Sequence, residues 1–165
     1  MRSRKKQIAL FGGSFNPPHE GHREIVRRIA QRKTIDEVWI LPVYKHPFGK
    51  KLLSFKKRVS LCRQYFNSPT LKKGGRGGGF FRKIRIKSYE HRPHATGFTI
   101  DLVQYLKKKF PTYRFSWVMG ADTYRERKKW KDFGGLKKLV RFIIFPRGPR
   151  SPIPHISSTE IRKTL

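Results

Sequence analysis

Short apolar runs recur along the chain and predict a buried parallel sheet. The runs occupy residues 7–12, 38–41, 115–119 and 140–145. Most of them are apolar without alternation, which is typical of strands that are covered on both faces. A further segment, 80–87, alternates two isoleucines with lysine and arginine. This alternation predicts a half-exposed strand with a charged face.

Helical spacing of apolar residues predicts a helix between most of these strands. The expected helices cover residues 22–32, 55–66, 99–109, 123–130 and 135–139, and a last one begins at Ser157. Ser54 can cap the second of them, and Ser157 starts the capping-box pattern S-x-x-E. Strands that alternate with helices predict an α/β protein whose mostly parallel sheet has helices on both faces. Such sheets bind ligands at the carboxyl ends of their strands.

The 165 residues fit one domain, because neither a linker nor an internal repeat divides them. A glycine-rich stretch at 74–79 is expected to form a flexible loop. The apolar run at 8–11 is too short for a signal peptide or a membrane span, which predicts a soluble, cytoplasmic protein with no membrane partner. The single cysteine, Cys62, excludes an intramolecular disulfide and lies on the apolar face of a predicted helix.

The charge balance predicts anionic partners. The chain has 40 lysines and arginines against 10 aspartates and glutamates, a formal net charge of +30. Such a charge attracts polyanions without specificity. The basic residues are spread along the chain, however, and no helix-turn-helix, zinc-finger or RNP motif accompanies them. The charge therefore indicates only the sign of a ligand, and ATP fits that sign as well as a nucleic acid does.

The segment from Gly12 to His22, GGSFNPPHEGH, carries the strongest sign of chemistry. It follows the first predicted strand and leads into the first predicted helix. Its two glycines allow backbone N–H groups to approach a phosphate, and the helix N-terminus adds a partial positive charge. His19 and His22 stand three residues apart and can face the same anion. The alternatives are a turn with two surface histidines and a metal site, although a third metal ligand is lacking nearby.

This segment resembles the GG[ST]F[DN]PxHxGH motif of the nucleotidyltransferase superfamily, and most of all that of bacterial nicotinate-nucleotide adenylyltransferases. Residues 156–162, ISSTEIR, are similar to the second motif of that family, ISSTxIR. Between the two, Gly120-Ala121-Asp122 followed by Trp130 resembles the segment G-[SA]-D…W, and Thr99-Ile100-Asp101 resembles T-x-D. The resemblance covers nearly the whole chain, with the motifs in the expected order.

The resemblance implies the nucleotidyltransferase form of the Rossmann-like fold and the transfer of an adenylyl group. The 5′-phosphate of nicotinate mononucleotide attacks the α-phosphorus of ATP, which gives deamido-NAD and pyrophosphate in NAD biosynthesis. No covalent intermediate is implied, so the protein positions the reactants and neutralises charge. Mg²⁺ is the expected cofactor, held mainly by the ATP phosphates. The expected partners are ATP and nicotinate mononucleotide, and the sequence is compatible with a homo-oligomer.

The resemblance also assigns roles to residues. His19 and His22 are expected to contact the ATP phosphates as the catalytic residues, and His22 is expected to act on the transition state. The other residues expected to bind ATP or its phosphates are Phe11, Gly12, Gly13, Lys50, Arg147, Ser157, Ser158 and Arg162. The residues expected to contact the ribose or the substrate are Thr99, Gly120, Asp122 and Trp130. No residue is assigned to a metal.

Several of these assignments have structural alternatives. Ser157 can cap a helix, in which case Ser158 and Arg162 alone hold phosphate. Asp122 can cap a helix instead of accepting hydrogen bonds from a ribose. Trp130 can fill the core instead of stacking on a pyridine ring.

Two further residues leave alternatives open, and the sequence departs from the family at its end. Thr99 can cap its helix, and Lys50 can belong to a solvated basic loop. The chain stops three residues after Arg162, which suggests a single nucleotidyltransferase domain over 1–165 that is shortened at its C-terminus. Two other functions stay open. One is adenylyl transfer to nicotinamide mononucleotide or another phosphate acceptor, and the other is non-catalytic nucleic-acid binding on this fold.

Overall fold

The computed structural model describes residues 3–46, 48–67 and 80–164, and a sheet of five parallel strands lies at its centre. The strands are β1 (Lys6–Gly13), β2 (Glu37–Pro42), β3 (Ile84–Ile86), β4 (Tyr113–Gly120) and β5 (Arg141–Phe145). Their order in the sheet is β3-β2-β1-β4-β5. The chain therefore builds outward from β1 in one direction and then returns to its other side. This reversal opens a crevice between the carboxyl ends of β1 and β4, where ligands bind in sheets of this kind.

Helices connect the strands. They are α1 (Glu20–Ala30), α2 (Phe55–Phe66), α3 (Thr99–Lys109), α4 (Ala121–Arg125), α5 (Phe133–Leu139) and α6 (Ser158–Lys163). Short 3₁₀ turns occupy Phe80–Lys83, Tyr89–His91 and Arg127–Lys129. No helix among the described residues has the length and apolar character that a bilayer crossing requires. The glycine-rich stretch at 74–79, predicted to be a loop, lies outside the described residues.

The central strand β1 supplies both faces of the core. Ala9 and Phe11 pack into a layer with residues of α1 and α2, and Ile8 and Leu10 pack into a layer with residues of α3 and α5. All four side chains are at most 5% exposed. The predicted α/β fold with helices on both faces is thus confirmed, and the sheet of the described residues is parallel throughout.

The first helix begins and ends two residues earlier than its predicted span, 22–32. His19 takes the N-cap position with extended backbone, and its N–H group donates to the ring of His22 in the first turn. This hydrogen bond joins the two histidines within the first turn of the helix. His22 therefore lies inside the helix and does not begin it.

The strand predicted over 80–87 is wrong in its length. Only Ile84–Ile86 pairs with β2, in a register that sets Ile84 beside Val38. Since β2 begins at Glu37, residues before Lys83 have no neighbouring strand to pair with. They form the 3₁₀ turn instead, and the Lys83 ammonium group donates to the carbonyls of Arg32 and Ile35.

The helices predicted after β4 also change their bounds. The single helix expected at 123–130 ends at Arg125, and tighter bonds from Glu126 to Thr123 and from Lys129 to Glu126 form the turn that follows. Helix α5 begins earlier than predicted because Asp132 caps it, accepting from the Gly135 N–H at 2.9 Å.

Candidate active site

At the base of the crevice between β1 and β4, side chains pack closely against two glycines. A Cβ atom at Gly12 would lie 2.7 Å from the Trp117 ring, and one at Gly120 would lie 2.3 Å from the Asp122 carboxylate. Only glycine fits these contacts without a shift of its neighbours. The Trp117 ring and the Asp122 carboxylate therefore pack directly against the backbone of the two strand ends.

His19 and His22 lie together at the N-terminus of α1, directly above this edge. Their rings are stacked, with centroids 3.7 Å apart and planes 25° apart. The Phe15 ring lies 4.8 Å from that of His22, and the Phe11 ring lies 5.9 Å from it. The aromatic side chains from the end of β1 and the loop behind it thus hold the histidine pair in place.

A backbone hydrogen bond determines which nitrogen of His22 can serve a ligand. The N–H group of His19 donates to Nδ1 of His22 at 3.2 Å. A neutral imidazole that accepts at Nδ1 carries its proton on Nε2. His22 therefore offers an Nε2–H donor beside the N-terminus of α1, which is a place that favours anions.

The electrostatics of the pair favour neutral rings in the free protein. Burial and the positive charge of Arg147 lower the pKa of His19 to about 4. Burial, the neighbouring His19 and Arg147 lower the pKa of His22 well below its ordinary value. A bound polyanion would oppose both effects, because its negative charge stabilises the protonated rings.

The lowered pKa values predict acid sensitivity of folding. An unfolded chain protonates both histidines as the pH falls through 6.5, whereas the folded chain leaves His19 neutral until the pH approaches about 4. The free energy of unfolding should therefore fall as the pH is lowered between these values. Urea unfolding over a pH series measures this slope, and the double variant His19→Gln/His22→Gln should flatten it.

Glu90 changes the free energy of unfolding in the same pH range, but in the opposite direction. Burial raises the pKa of Glu90 to about 7, so the folded chain holds this proton more tightly than the unfolded chain. Glu90 is present in the wild type and in the double variant, so its effect cancels from their comparison. Identical pH slopes in the two proteins would contradict the role given to the histidine pair.

Two buried nitrogen atoms beside the crevice have no hydrogen-bond partner within the described residues. They are Nδ1 of His19 and Nε of Arg147. The nearest carboxylate oxygen to the second is Oδ1 of Asp122, at 3.8 Å, which is beyond hydrogen-bond distance. Buried polar atoms without partners are costly in a finished core. His19 lies at the N-cap of α1 and Arg147 follows β5, so a ligand bound between these elements would supply the missing oxygen atoms.

A cleft of about 300 Å³ opens beside Arg147, and neither His19 nor His22 lines it. Asp122 and Arg147, which follow β4 and β5, form one side, and His155 and Ser157 at the start of α6 form the other. The cleft thus joins three of the predicted site residues. Asp122 lies in the first turn of α4, whose N-cap residue is Gly120, so Asp122 does not occupy the cap position.

The second sequence motif is bonded to the first. The Ser158 hydroxyl donates to the Pro17 carbonyl at 2.7 Å, and the Arg162 guanidinium donates to the carbonyl of Asn16. Ser157 accepts from the Glu160 N–H at 3.1 Å and completes a capping box. The structural alternative for Ser157 is thus present. Ser158 and Arg162 hold the histidine loop in this structure, and their contact with phosphate stays a prediction.

The predicted substrate-binding residue Thr99 lies at the start of α3. Thr99 is the first residue of this helix, and Phe98 occupies the cap position, so Thr99 does not cap it. The Asp101 carboxylate accepts from the hydroxyl of Thr96 and from the ammonium group of Lys131, at 3.1 Å. Asp101 therefore connects the segment before α3 to the segment that carries Trp130.

Trp130 shares features of both its predicted roles. Its ring meets those of Trp117 and Phe133 edge to face, at 6.3 Å and 6.1 Å, and so belongs to the core layer beneath the site. It is only partly buried, and its remaining surface is available to a stacked ring. Lys50 differs from these residues. It is exposed in the loop after β2, and no hydrogen bond or ion pair joins it to the other described residues.

Arg58 is a residue of the site that sequence reasoning missed. Its side chain is 1% exposed, and its guanidinium donates to the carbonyls of Leu53, Ser14, Val43 and Tyr44 at 2.9, 2.8, 2.7 and 3.3 Å. One buried cation therefore fastens the loop of the first motif to the loop after β2. Asn16 makes a second link between them, because its Oδ1 accepts from the Leu53 N–H.

Comparisons with known proteins point in one direction. The sequence profile described as cytidylyltransferase-like matches residues 10–164. A protein of Myxococcus xanthus named "Probable nicotinate-nucleotide adenylyltransferase" is 34% identical over 168 residues, which cover 96% of this chain and 82% of the relative. One of the same name from Anaeromyxobacter dehalogenans is 35% identical, with 97% and 84% covered.

Solved structures show the same fold. Nicotinic acid mononucleotide adenylyltransferase of Plasmodium falciparum, in complex with NaAD, superposes with a TM-score of 0.76. The superposition covers 96% of this chain and 83% of that one at 24% sequence identity. At this identity, the likeness establishes the fold and leaves the chemistry to the site residues.

Proposed function

This chain belongs to the cytidylyltransferase-like family, alongside relatives named nicotinate-nucleotide adenylyltransferase, and from that premise we propose that it transfers the adenylyl group of ATP to nicotinate mononucleotide. The observation that carries the proposal is the stacked pair of His19 and His22 at the start of α1, beside Arg147. Three sources of positive potential meet there: a helix N-terminus, an imidazole donor and a guanidinium. This arrangement is suited to a triphosphate.

The reaction is a displacement at the α-phosphorus. An oxygen of the 5′-phosphate of nicotinate mononucleotide forms a bond to the α-phosphorus, and the bond from that phosphorus to the bridging oxygen of the β-phosphate breaks. The products are deamido-NAD and pyrophosphate, and no bond to the protein forms. Catalysis then consists of alignment and of stabilisation of charge on the phosphate oxygens in the transition state.

His22 is the proposed main donor to that charge. Its Nδ1 accepts from the His19 N–H, so the ring is fixed in orientation and the proton on Nε2 is the one that can be donated to a phosphate oxygen. His19 is buried behind it and adds a second ring whose pKa a triphosphate would raise. The backbone of Phe11, Gly12 and Gly13 is proposed to hold the nucleotide, because it lies at the carboxyl end of β1, where sheets of this kind bind ligands.

Mg²⁺ is proposed to arrive with the nucleotide, as the substrate MgATP. The described residues contain no group of three or more His, Cys, Asp or Glu side chains placed to hold a metal ion. Phosphate oxygens and water supply the octahedral oxygen ligands that Mg²⁺ prefers. The protein's proposed contribution is to grip the phosphates of this complex with His22, Arg147 and the start of α1.

The second mononucleotide is proposed to lie between β4 and α3. Asp122 offers a carboxylate to a ribose, and the exposed part of Trp130 offers a surface to a pyridine ring. Thr99 lies at the start of α3, whose N-terminus favours the carboxylate that distinguishes nicotinate from nicotinamide. These contacts predict a preference for the acid form of the acceptor.

An acceptor panel tests this proposal. With MgATP, we expect turnover with nicotinate mononucleotide to exceed that with nicotinamide mononucleotide by roughly tenfold or more in kcat/KM, the effect of one charge-assisted contact. Phosphopantetheine should not react, and CTP should not replace ATP. Equal or better use of nicotinamide mononucleotide or phosphopantetheine would reject the proposed acceptor and keep the reaction class.

A further inference from the structure

Two grooves lie at the amino ends of the strands, on the side of the sheet opposite the histidine pair. The first, of about 360 Å³, runs between the sheet and the C-terminal ends of α3 and α5. The second, of about 660 Å³, lies on the α1 side of the sheet. They share Gln7, Arg114, Ser116 and Arg141, so they meet across the strand ends. Together they form one continuous concave surface, called the amino-end grooves below.

Basic side chains line both grooves. Those of the first are Lys5, Lys107, Arg114, Lys137, Lys138 and Arg141, and the second adds Arg4, Arg32 and Lys33. No aspartate or glutamate lines either groove. Arg4 pairs with Asp36 outside them. The other eight have no ion pair with any described residue, so their charge is not neutralised within the described part of the protein.

We propose that the amino-end grooves bind the phosphate backbone of a nucleic acid, without regard to its sequence. The cations do not converge on a point, as they do around a single phosphate, and follow the strand ends from one face of the sheet to the other. A chain of regularly spaced phosphates is the polyanion that matches such a path.

The aromatic residues of the grooves explain why no base preference is expected. Tyr113 lines the first groove but stacks on Phe110 with ring centroids 5.1 Å apart, and Phe142 lines the second but stacks on Phe133 at the same distance. Both rings are partly buried, and the stacked neighbour covers one face of each. Base stacking therefore contributes little, and the phosphate contacts carry the affinity.

The surface favours a nucleic acid over an anionic membrane. Proteins that lie on a bilayer usually insert large apolar side chains between the lipids. The exposed large apolar side chains of the described residues are Tyr44, Phe48, Leu53, Phe98 and Ile144, and none of them lines either groove. The grooves are also concave, whereas a flat bilayer reaches only a protruding surface.

The grooves are separate from the proposed catalytic site. They lie at the opposite end of β1, whose eight residues span about 25 Å. A nucleic acid in the grooves therefore leaves the histidine pair free. Binding of RNA and binding of MgATP are expected not to compete, and either property can fail without the other.

Fluorescence anisotropy with a labelled RNA of mixed sequence, about 20 nucleotides long, tests the proposal at about 150 mM salt. The groove variant Arg114→Gln/Lys137→Gln/Lys138→Gln/Arg141→Gln removes four exposed cations that lack ion pairs. The control variant Lys51→Gln/Lys56→Gln/Lys57→Gln/Arg63→Gln removes four exposed cations from α2 and the loop before it. The two variants have the same net charge.

We expect the wild type and the control variant to bind with similar affinity and the groove variant to lose roughly tenfold or more. The plot of log association constant against log salt concentration has a negative slope, and its magnitude should decrease by about three in the groove variant only. Saturating MgATP should leave RNA binding unchanged, and both variants should keep adenylyl transfer. Equal losses in the two variants, displacement of RNA by MgATP, or tighter binding to phosphatidylserine vesicles than to RNA would each overturn the proposal.

Discussion

Replacing His22 with alanine is expected to lower kcat about a hundredfold or more, the usual cost of losing one preorganised donor to the transition state. The Nε2–H donor disappears, and the N–H of His19 loses its acceptor in the first turn of α1. The KM for ATP should change less, because Arg147 and the helix N-terminus still attract the triphosphate. Initial rates at saturating MgATP and nicotinate mononucleotide measure the effect.

Two matched substitutions distinguish the role of the Nε2–H donor of His22 from the role of its Nδ1, which accepts a hydrogen bond at the start of α1. The amide nitrogen of His22→Gln reaches near the position of Nε2, and that of His22→Asn reaches only near Nδ1. We therefore expect the Gln variant to keep more activity than the Asn variant, while both unfold near the wild-type urea midpoint. An Ala variant within about threefold of the wild-type kcat would show that the proposed transition-state role is wrong.

Replacing Arg58 with methionine is expected to lower the free energy of unfolding by about 3–5 kcal/mol, because it leaves several buried carbonyls without a donor. Methionine fills a similar volume, but it leaves the carbonyls of Ser14, Val43, Leu53 and Tyr44 without their donor. Each unpaired buried carbonyl retains a desolvation cost of about 1–3 kcal/mol, less whatever water recovers. Urea denaturation measures the loss.

The neighbouring residue supplies the control. Lys57 is exposed on the same helix, and Lys57→Met should change stability by less than about 0.5 kcal/mol. The stability of Arg58→Lys should lie between those of Arg58→Met and Lys57→Met, since an ammonium group donates to fewer of the four carbonyls. Arg58 also fastens the loop that precedes the histidines. The kcat/KM of Arg58→Met should therefore be reduced even at urea concentrations well below its unfolding midpoint. Stability of Arg58→Met equal to that of Lys57→Met would refute this account.

Local patterns in the sequence predict most helices and strands of this protein well. The bounds of α3, 99–109, agree with the structure, because Leu102, Val103 and Leu106 mark one buried face and Pro111 limits the end. The capping box at Ser157 and the positions of β1, β2, β4 and β5 along the chain follow from equally local signals. The strand at 80–87 fails because its length depends on where β2 begins, which the segment itself does not encode.

The contacts that organise the site are less predictable, because they join residues far apart in the chain. Arg58 has the sequence context of a solvated helix residue, and its burial depends on carbonyls that only the folded loops bring together. Likewise, the bonds from Ser158 and Arg162 to the Asn16–Pro17 carbonyls span more than 140 positions. Motif resemblance identified these residues, yet only the structure shows that one motif supports the other.

The transfer of label from ATP tests the central claim most directly. The protein is incubated with nicotinate mononucleotide, Mg²⁺ and ATP labelled with ³²P at either the α- or the γ-phosphate, and the products are separated. The account predicts that the α-label appears in deamido-NAD and the γ-label in pyrophosphate, and that His22→Ala slows both together. Release of the γ-label as inorganic phosphate, or no dinucleotide at any metal concentration, would contradict adenylyl transfer by this site.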